Sequence, residues 1–232
     1  MIDGVVFDKD GTLFDFRQSW GAWTARLLEQ IAQDQAHAAI LAAAIGYYPD
    51  RQDFHPDSPV IAATAEEISA ALLPHLPGQN QRALVAQLNA LAQNAVMAPA
   101  VPLRPVLGAL RDRGLTLGLA TNDTEAPARA HLLAHGVLDL FDFVAGYDSG
   151  HGPKPGPGMC LAFARQTGID PTRAVMVGDS CHDLIAGRAA GMRTVAVLTG
   201  IAEAEELRPF ADVILPDIGV LGAWIDGVTT PQ

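Results

Sequence analysis

Near the N-terminus, Asp8-Lys9-Asp10-Gly11-Thr12 has residue types and a spacing that suit chemistry on an anionic substrate. It directly follows the apolar run Val5-Val6-Phe7, which is typical of a buried strand. Residues two apart in a strand point to the same side. If the strand loosens at Gly11, the two carboxylates can take different roles. The segment therefore suggests a metal-assisted reaction.

Three further segments carry polar groups: Thr121-Asn122-Asp123, Lys154 among glycines and prolines, and Gly178-Asp179-Ser180-Cys181-His182-Asp183. The first and the last of these directly follow the predicted strands 115–120 and 174–177. The carboxyl ends of parallel strands meet at one edge of a sheet, where α/β proteins bind their ligands. We therefore expect the four segments to form one cluster.

Several carboxylates placed together repel one another unless a cation lies among them. Carboxylates that attack a phosphate also face repulsion, about 4 kcal/mol per charge pair at 4 Å and an effective dielectric of 20. Mg²⁺ prefers oxygen ligands and binds through carboxylates and substrate phosphate, and Lys154 would neutralise further charge. An aspartate nucleophile that forms an aspartyl-phosphate is one route for such a reaction.

Strands that alternate with helices must position these segments. After residue 102 the pattern predicts strands at 115–120, 141–145, 174–177, 194–198 and 213–215, and helices at 105–113, 126–135, 158–167 and 184–190. With a first strand at 2–7, this order predicts an α/β fold with a parallel sheet covered on both faces.

The intervening segment has a helical texture. Trp20, Trp23, Leu27 and Ile31 recur at helical spacing, and 60–73 and 81–97 repeat the pattern. We therefore predict an all-helical insertion after the first strand, with hinges near 15–17 and 98–102.

Composition excludes several classes of partner. The chain has 232 residues, 49% of them hydrophobic, and a net charge of −11, so a basic surface for nucleic acid is not expected. Cys160 and Cys181 give neither a disulfide framework nor metal-ligand spacing. Neither a signal peptide nor a run of about 18 apolar residues is visible. We expect a cytoplasmic protein with no membrane partner.

In order, spacing and strand context, Asp-x-Asp-Gly-Thr, Thr-Asn, Lys-Pro and Gly-Asp-Ser-x-x-Asp resemble the motifs of the haloacid dehalogenase superfamily. The helical insertion resembles the cap of its phosphoglycolate phosphatase and β-phosphoglucomutase branch. The resemblance implies a Rossmann-like doubly wound core at 1–15 and 102–232 and an all-helical cap at 16–101. It also implies a phosphoric monoester hydrolase that uses Mg²⁺, acts on a small phosphate ester, and is a monomer or homodimer.

The resemblance further implies catalytic roles for three residues. Asp8 would be the nucleophile and a Mg²⁺ ligand. Asp10 would protonate the leaving oxygen and then activate water, while its backbone carbonyl also binds Mg²⁺. Lys154 would neutralise charge on Asp8 and on the phosphate.

Binding and supporting roles follow from the same resemblance. Thr121 and Asn122 would hold phosphoryl oxygens, together with backbone N–H groups near Gly11, and Thr12 would support this turn. Asp179 would complete the metal site. Asp183 would act from its edge, through water or by orienting Lys154.

Other readings stay open. Each of the three carboxylate- or hydroxyl-bearing segments alone could be a turn or a helix cap, and Lys154 alone could be a solvated loop lysine, although all four together in this order argue against that. Lys9 and Asp123 are expected to be structural or solvent-facing. His182 and Cys181 are expected to pack or cap, and Trp20 is expected to belong to the core, as is Trp23.

The leading functional hypothesis is a Mg²⁺-dependent phosphatase acting on a phosphoglycolate-like or sugar phosphate substrate. A phosphosugar mutase of the β-phosphoglucomutase type would share every core residue, but the cap offers no evident Arg/Lys pair for a second phosphate. A dehalogenase would not need the acid at Asp10. A non-catalytic binding protein is the remaining alternative. Substrate specificity is expected to lie in the cap, with candidates Trp20, Trp23, Tyr47, Tyr48, Arg51 and residues 53–58.

Overall fold

The computed structural model describes residues 1–229 and contains a six-stranded sheet in which every pair of neighbours is parallel. The strands of this sheet are β1 (Gly4–Phe7), β4 (Thr116–Ala120), β5 (Phe143–Ala145), β6 (Ala174–Gly178), β7 (Arg193–Val197) and β8 (Val213–Leu215). Their spatial order is β5-β4-β1-β6-β7-β8. The predicted α/β fold with a doubly wound parallel sheet is therefore confirmed.

The central strand β1 is buried along its whole length, which explains its unbroken apolar sequence. Val5 and Phe7 pack in one apolar cluster, whereas Val6 faces another that contains Phe163 and Met176. This alternation is what the pleat of a strand requires. Helices accordingly cover both faces of the sheet.

The helices that follow the insertion are α6 (Leu103–Asp112), α7 (Glu125–Ala134), α8 (Gly158–Thr167), α9 (Cys181–Ala189), α10 (Ala204–Leu207) and α11 (Leu221–Thr229). Most predicted boundaries differ from these by one or two residues. Helix α9 begins three residues before the predicted Leu184 because Ser180 and Asp183 form a capping box at its N-terminus.

The segment between β1 and α6 contains α1 (Phe16–Ile31), α2 (Gln35–Ala44), α3 (Pro59–Ala62), α4 (Ala65–Leu72) and α5 (Gln81–Gln93). The prediction that this segment is entirely helical was wrong in one place. Tyr47–Tyr48 (β2) and Asp53–Phe54 (β3) form a small antiparallel hairpin. The Tyr47 hydroxyl donates to the Gly21 carbonyl at 2.9 Å, which fastens the hairpin to α1.

The helix predicted over 60–73 is divided into α3 and α4. Thr64 stops the first helix and caps the second, because its side chain accepts from the Glu67 backbone while the Glu67 carboxylate accepts from Thr64 N–H at 2.8 Å. The sequence signal for this break, Thr64-x-x-Glu67, is a capping box.

The two chain segments that join the helical insertion to the sheet run side by side. Asp15 N–H donates to the Ala98 carbonyl at 2.8 Å, and Ala100 N–H donates to the Leu13 carbonyl at 2.9 Å. They lie at or next to 15–17 and 98–102, and the role of these segments as hinges stays a prediction. No helix between residues 1 and 229 combines the length and apolar character that a membrane span requires.

Candidate active site

The ends of three adjacent strands bring the predicted site residues together. Asp8 follows β1, Thr121 follows β4 on one side of it, and Asp179 follows β6 on the other. Phe7 is in register with both Leu119 and Val177, so the three strands end at the same level. The connections after β1 run first to one side and then to the other, and such switch points are where open α/β sheets bind ligands.

A tight turn separates the two carboxylates of the first motif. Gly11 has a φ of +83°, a left-handed conformation that favours glycine. A Cβ atom at Gly11 would overlap the Asp179 carboxylate, so a glycine is also needed for close approach. The Leu13 N–H donates to the Lys9 carbonyl at 3.0 Å and closes the turn. The strand geometry thus ends before Asp10, and the side chains of Asp8 and Asp10 have different partners.

Lys154 is the cation of the Asp8 site. Its ammonium group forms an ion pair with Asp8, another with Asp183 at 2.6 Å, and a hydrogen bond to the Ala120 carbonyl at 2.8 Å. The lysine is buried, and its three donors meet three acceptors. The second Asp183 oxygen accepts from Ser180 N–H at 3.0 Å and from its hydroxyl at 2.7 Å. Asp183 is therefore in contact with Lys154, and its expected role in orienting that lysine stays a prediction.

The site carries more negative charge than Lys154 can balance. Oxygen atoms of the buried Asp8, Asp179 and Asp183 lie within 4.8 Å of one another. Burial raises the pKa of Asp8 from 3.8 to about 7, against the influence of Lys154. Burial, with repulsion from Asp183 and Asp8, also raises the pKa of Asp179 well above its usual value. Three carboxylates facing one ammonium group therefore fit a metal ion, and oxygen donors of this kind suit Mg²⁺.

Lys9 is a second buried cation, so of the two alternatives expected for it, structural or solvent-facing, the second is excluded. Its side chain has no solvent exposure, and its ammonium group lies 2.8 Å from Asp10 and 3.3 Å from Asp123. The same group lies 5.2 Å from the centre of the Trp20 ring, within cation–π range. Burial acts to lower the pKa of Lys9, but Asp10 and Asp123 outweigh it and raise the pKa overall. Lys9 and Asp123 are structural parts of the site.

His131 completes the surroundings of Lys9. Its Nε2 lies 2.8 Å from the Ala92 carbonyl on α5, and its Nδ1 lies 3.3 Å from the Lys9 ammonium group. Since a carbonyl only accepts, Nε2 carries the proton and Nδ1 accepts from Lys9. Burial, with the Lys9 charge, lowers the pKa of His131 to about 4, so the ring is neutral at pH 7. Sequence reasoning missed this residue because nothing in its helix marks it.

Thr121 and Asn122, which are expected to hold phosphoryl oxygens, differ in how many of their side-chain hydrogen-bonding groups already have a partner. Thr121 Oγ1 accepts from Asp123 N–H at 3.0 Å, which leaves its hydroxyl hydrogen free to donate. Asn122 is more engaged, because its amide group donates to the Ala62 and Lys154 carbonyls and accepts from Lys154 N–H at 2.8 Å. The Asn122 side chain thus holds the Lys154 loop against α3. Thr12 is buried, and its hydroxyl has no hydrogen-bond partner among the described residues.

A cavity opens above these groups towards the helical insertion. Its floor includes Asp8, Asp10, Thr121, Lys154, Asp179 and His182, and its other wall is largely apolar. Trp20 and Trp23 are buried core residues, as expected, and they also line this cavity. The specificity candidates Tyr47, Tyr48, Arg51 and residues 53–58 are not among the described residues that line it.

Comparison with known proteins identifies the family. A family model for haloacid dehalogenase-like hydrolases matches residues 2–191. A protein of Dickeya dadantii named "Probable phosphatase IndB" is 30% identical over 220 residues, which cover 92% of this chain and 88% of that protein. A phosphoglycolate phosphatase of Rhodospirillum rubrum is 36% identical over 120 residues, or 52% of this chain and 50% of that protein. These matches agree with the expected enzyme class, phosphoric monoester hydrolase.

Solved structures share the fold over nearly the whole chain. A predicted phosphoglycolate phosphatase of Haemophilus somnus has a TM-score of 0.72 at 20% identity, covering 97% of this chain and 98% of that one. A β-phosphoglucomutase of Clostridium difficile has a TM-score of 0.66 at 17% identity, with 98% and 96% covered. The chain therefore belongs to the haloacid dehalogenase-like hydrolases and is similar to their phosphoglycolate phosphatase branch.

Proposed function

We propose that this hydrolase is a Mg²⁺-dependent phosphatase that cleaves a small phosphorylated metabolite through an aspartyl-phosphate intermediate. The observation that carries the proposal is the position of Asp8. It lies at the end of the central strand, buried, in an ion pair with Lys154 and beside Asp179. A carboxylate so placed can act as a nucleophile, with part of its charge balanced by Lys154 and the rest by the proposed Mg²⁺.

In the first step, a carboxylate oxygen of Asp8 attacks phosphorus and the bond from phosphorus to the leaving oxygen breaks. Asp10 donates a proton to that oxygen. In the second step, Asp10 takes a proton from a water molecule, which attacks phosphorus and breaks its bond to Asp8. Asp10 suits proton transfer because it lines the cavity and its side chain is 15% exposed.

Asp8, Asp179 and the backbone carbonyl of Asp10 would hold Mg²⁺. The ion would supply charge neutralisation for the attacking carboxylate and the phosphate. Asp183 is a weaker candidate ligand because Lys154 and Ser180 already engage its two oxygens. This assignment keeps Asp183 as the residue that positions Lys154.

The phosphoryl oxygens would be held by the Thr121 hydroxyl and by backbone N–H groups near Gly11 and Asn122. The Asn122 side chain would contribute mainly by fixing the Lys154 loop, since three hydrogen bonds engage it. Phosphoglycolate and sugar phosphates are the substrate classes that the family resemblance suggests. We further propose a monomer or homodimer acting in the cytoplasm, without nucleic-acid or membrane partners.

The phosphosugar mutase remains the second candidate, because structures with that activity share the fold. A mutase must bind a second phosphate, and Lys154 is the only lysine or arginine among the described residues that line the cavity. This favours hydrolysis. A dehalogenase would not need Asp10, and a non-catalytic protein would not need the complete set of charged residues.

The test is phosphate release from a panel of phosphate esters with Mg²⁺ present. Asp8→Asn should abolish turnover because the amide is a poor nucleophile. Asp112→Asn is the matched control, since Asp112 is exposed at the end of α6, outside the cavity, and should leave turnover unchanged. Full activity in Asp8→Asn would overturn the mechanism.

A further inference from the structure

The cavity above Asp8 has two chemically different walls. The wall formed by the sheet is polar and contains the carboxylates, Thr121 and Lys154. The wall formed by the helical insertion, here called the cap wall, is lined by apolar side chains from α1, α3, α4 and α5, including Trp20, Trp23, Val60, Ile61, Ile68 and Leu88. Since the phosphate must face Asp8, the rest of the substrate must face the cap wall.

No cation from the helical insertion reaches this space in the described part of the chain. Arg17 is engaged by Asp53 at 3.0 Å and by the Gly200 carbonyl at 3.1 Å, and it does not line the cavity. Arg51 lies over the Tyr48 ring, 4.7 Å from its centre, and is also outside the cavity. A carboxylate or second phosphate on the cap wall would therefore lose its hydration without gaining an ionic partner, which is strongly unfavourable.

Lys154, the cation of the sheet wall, does not provide an ionic partner for an anionic substrate group on the cap wall either. Lys154 has its three donors on Asp8, Asp183 and Ala120.

The cap wall also offers few hydrogen bonds to a sugar. Its polar side-chain groups are the amide of Asn89 and the indole N–H groups of Trp20 and Trp23, which have no hydrogen-bond partner among the described residues. The Ala62 carbonyl on this wall already accepts from Asn122 at 2.8 Å. A substrate rich in hydroxyl groups would leave many of them unpaired there.

We propose that the substrate is the monophosphate of an uncharged, largely hydrocarbon alcohol, and that phosphoglycolate is a poor substrate. This inference rests on the proposed phosphatase function and narrows its substrate class. The hydrocarbon part packs against the tryptophans and aliphatic side chains of the cap wall. Each methylene that enters this wall should raise kcat/KM about four-fold, the factor that corresponds to ~0.8 kcal/mol per buried methylene.

The test compares kcat/KM of the full chain with Mg²⁺ for methyl, ethyl, propyl and butyl phosphate, 2-phosphoglycolate and glycerol 3-phosphate. Their leaving groups are all simple alkoxides, so differences report mainly on binding. We expect values to rise along the alkyl series, with butyl phosphate exceeding 2-phosphoglycolate by at least ten-fold. A higher value for 2-phosphoglycolate or glycerol 3-phosphate than for propyl phosphate would overturn the inference while leaving the phosphatase proposal intact. Absence of turnover with every ester would overturn the phosphatase proposal, and the inference with it.

A charge placed on the cap wall provides a second test. Ile61 is half-buried and lines the cavity, so Ile61→Arg can add a guanidinium group there while its stem keeps some apolar packing. We expect the ratio of butyl phosphate to 2-phosphoglycolate kcat/KM to fall at least ten-fold. Ile40→Arg adds the same charge at a side chain on α2 outside the cavity and should leave the ratio unchanged. If Ile61→Arg folds and its ratio equals that of the wild type, the inference is contradicted. If the variant does not fold, the ester series measured on the unmodified chain decides the inference by itself.

Discussion

The ammonium group of Lys9 lies 2.8 Å from the carboxylate of Asp10, its neighbour in the chain. Adjacent residues of a regular strand point to opposite sides, so this contact requires the turn at Gly11. The same ammonium group lies 3.3 Å from Asp123, and the Lys9 side chain has no solvent exposure. Lys9 thus fixes the group proposed to transfer protons, and it does so from inside the core.

Lys9→Met should be strongly destabilising. The substitution leaves the carboxylates of Asp10 and Asp123 close together in a buried position without a cation. Loss of one partner of a buried ion pair typically costs about 3–5 kcal/mol. The free energy of unfolding, measured in urea, should fall by that order, and phosphate release should fall with it.

The control for Lys9→Met also removes one of the two carboxylate charges that this substitution leaves unpaired. Lys9→Met combined with Asp123→Asn should recover part of the lost stability, because one of the two unpaired buried charges is gone. Unchanged stability in Lys9→Met alone would show that the buried cation is not required.

Asn122→Ala should weaken the Lys154 loop. The variant removes hydrogen bonds to the Ala62 carbonyl and to both backbone groups of Lys154. Unpaired buried groups cost about 1–3 kcal/mol, and a displaced Lys154 should lower kcat. Thermal unfolding and steady-state kinetics measure both effects. Asn94→Ala, which removes one exposed bond to Ala90, should change neither, and a wild-type kcat in Asn122→Ala would argue against the positioning role.

Without metal, the raised pKa of Asp8 should make the free energy of unfolding depend on pH. Its pKa is about 7 in the folded chain against an ordinary 3.8, so the folded state holds a proton that the unfolded state has lost. Asp8 therefore makes stability fall as pH rises from about 4 to about 7. The pKa of His131 is lowered from 6.5 to about 4, so His131 makes stability rise with pH over part of the same range. The pH dependence of wild-type stability alone therefore does not report on Asp8.

The difference between wild type and Asp8→Asn removes the contribution of His131, which is common to both, and leaves that of Asp8 with the part of the raised Asp179 pKa that Asp8 causes. In EDTA, wild type should lose stability relative to Asp8→Asn as the pH rises from about 4 to about 7, as followed by thermal unfolding. Mg²⁺ at pH 8 should stabilise wild type more than the variant, since an ion that binds only the folded state raises its stability. Parallel curves for the two proteins would refute the shifted pKa.

The sequence was sufficient to place the residues that follow strands. Asp8, Thr121 and Asp179 each follow a compact apolar run, and the rule that parallel strands end at one edge brings them together. The break at Thr64 was also readable from its capping box with Glu67, although the longer helical pattern of 60–73 obscured it. These features depend on local sequence.

Features made by distant segments could not be read in this way. Lys9 is buried only because Asp123 and Trp20 arrive from other elements to surround it, and a lysine is ordinarily exposed. His131 acquires its role from the Ala92 carbonyl on another helix. The hairpin at Tyr47 has two-residue strands, which are too short to show alternation.

The most direct test of the account is the detection of a phosphoryl group on Asp8. In Asp10→Asn the base that activates water is absent, so the intermediate should accumulate. p-Nitrophenyl phosphate has a leaving group that needs no acid and should still phosphorylate the variant with Mg²⁺ present. Acid quenching followed by mass spectrometry should find one phosphoryl group on the peptide that contains Asp8, and none when Asp8→Asn is added. A phosphoryl group on another residue, or phosphate release by Asp8→Asn at the wild-type rate, would contradict the account.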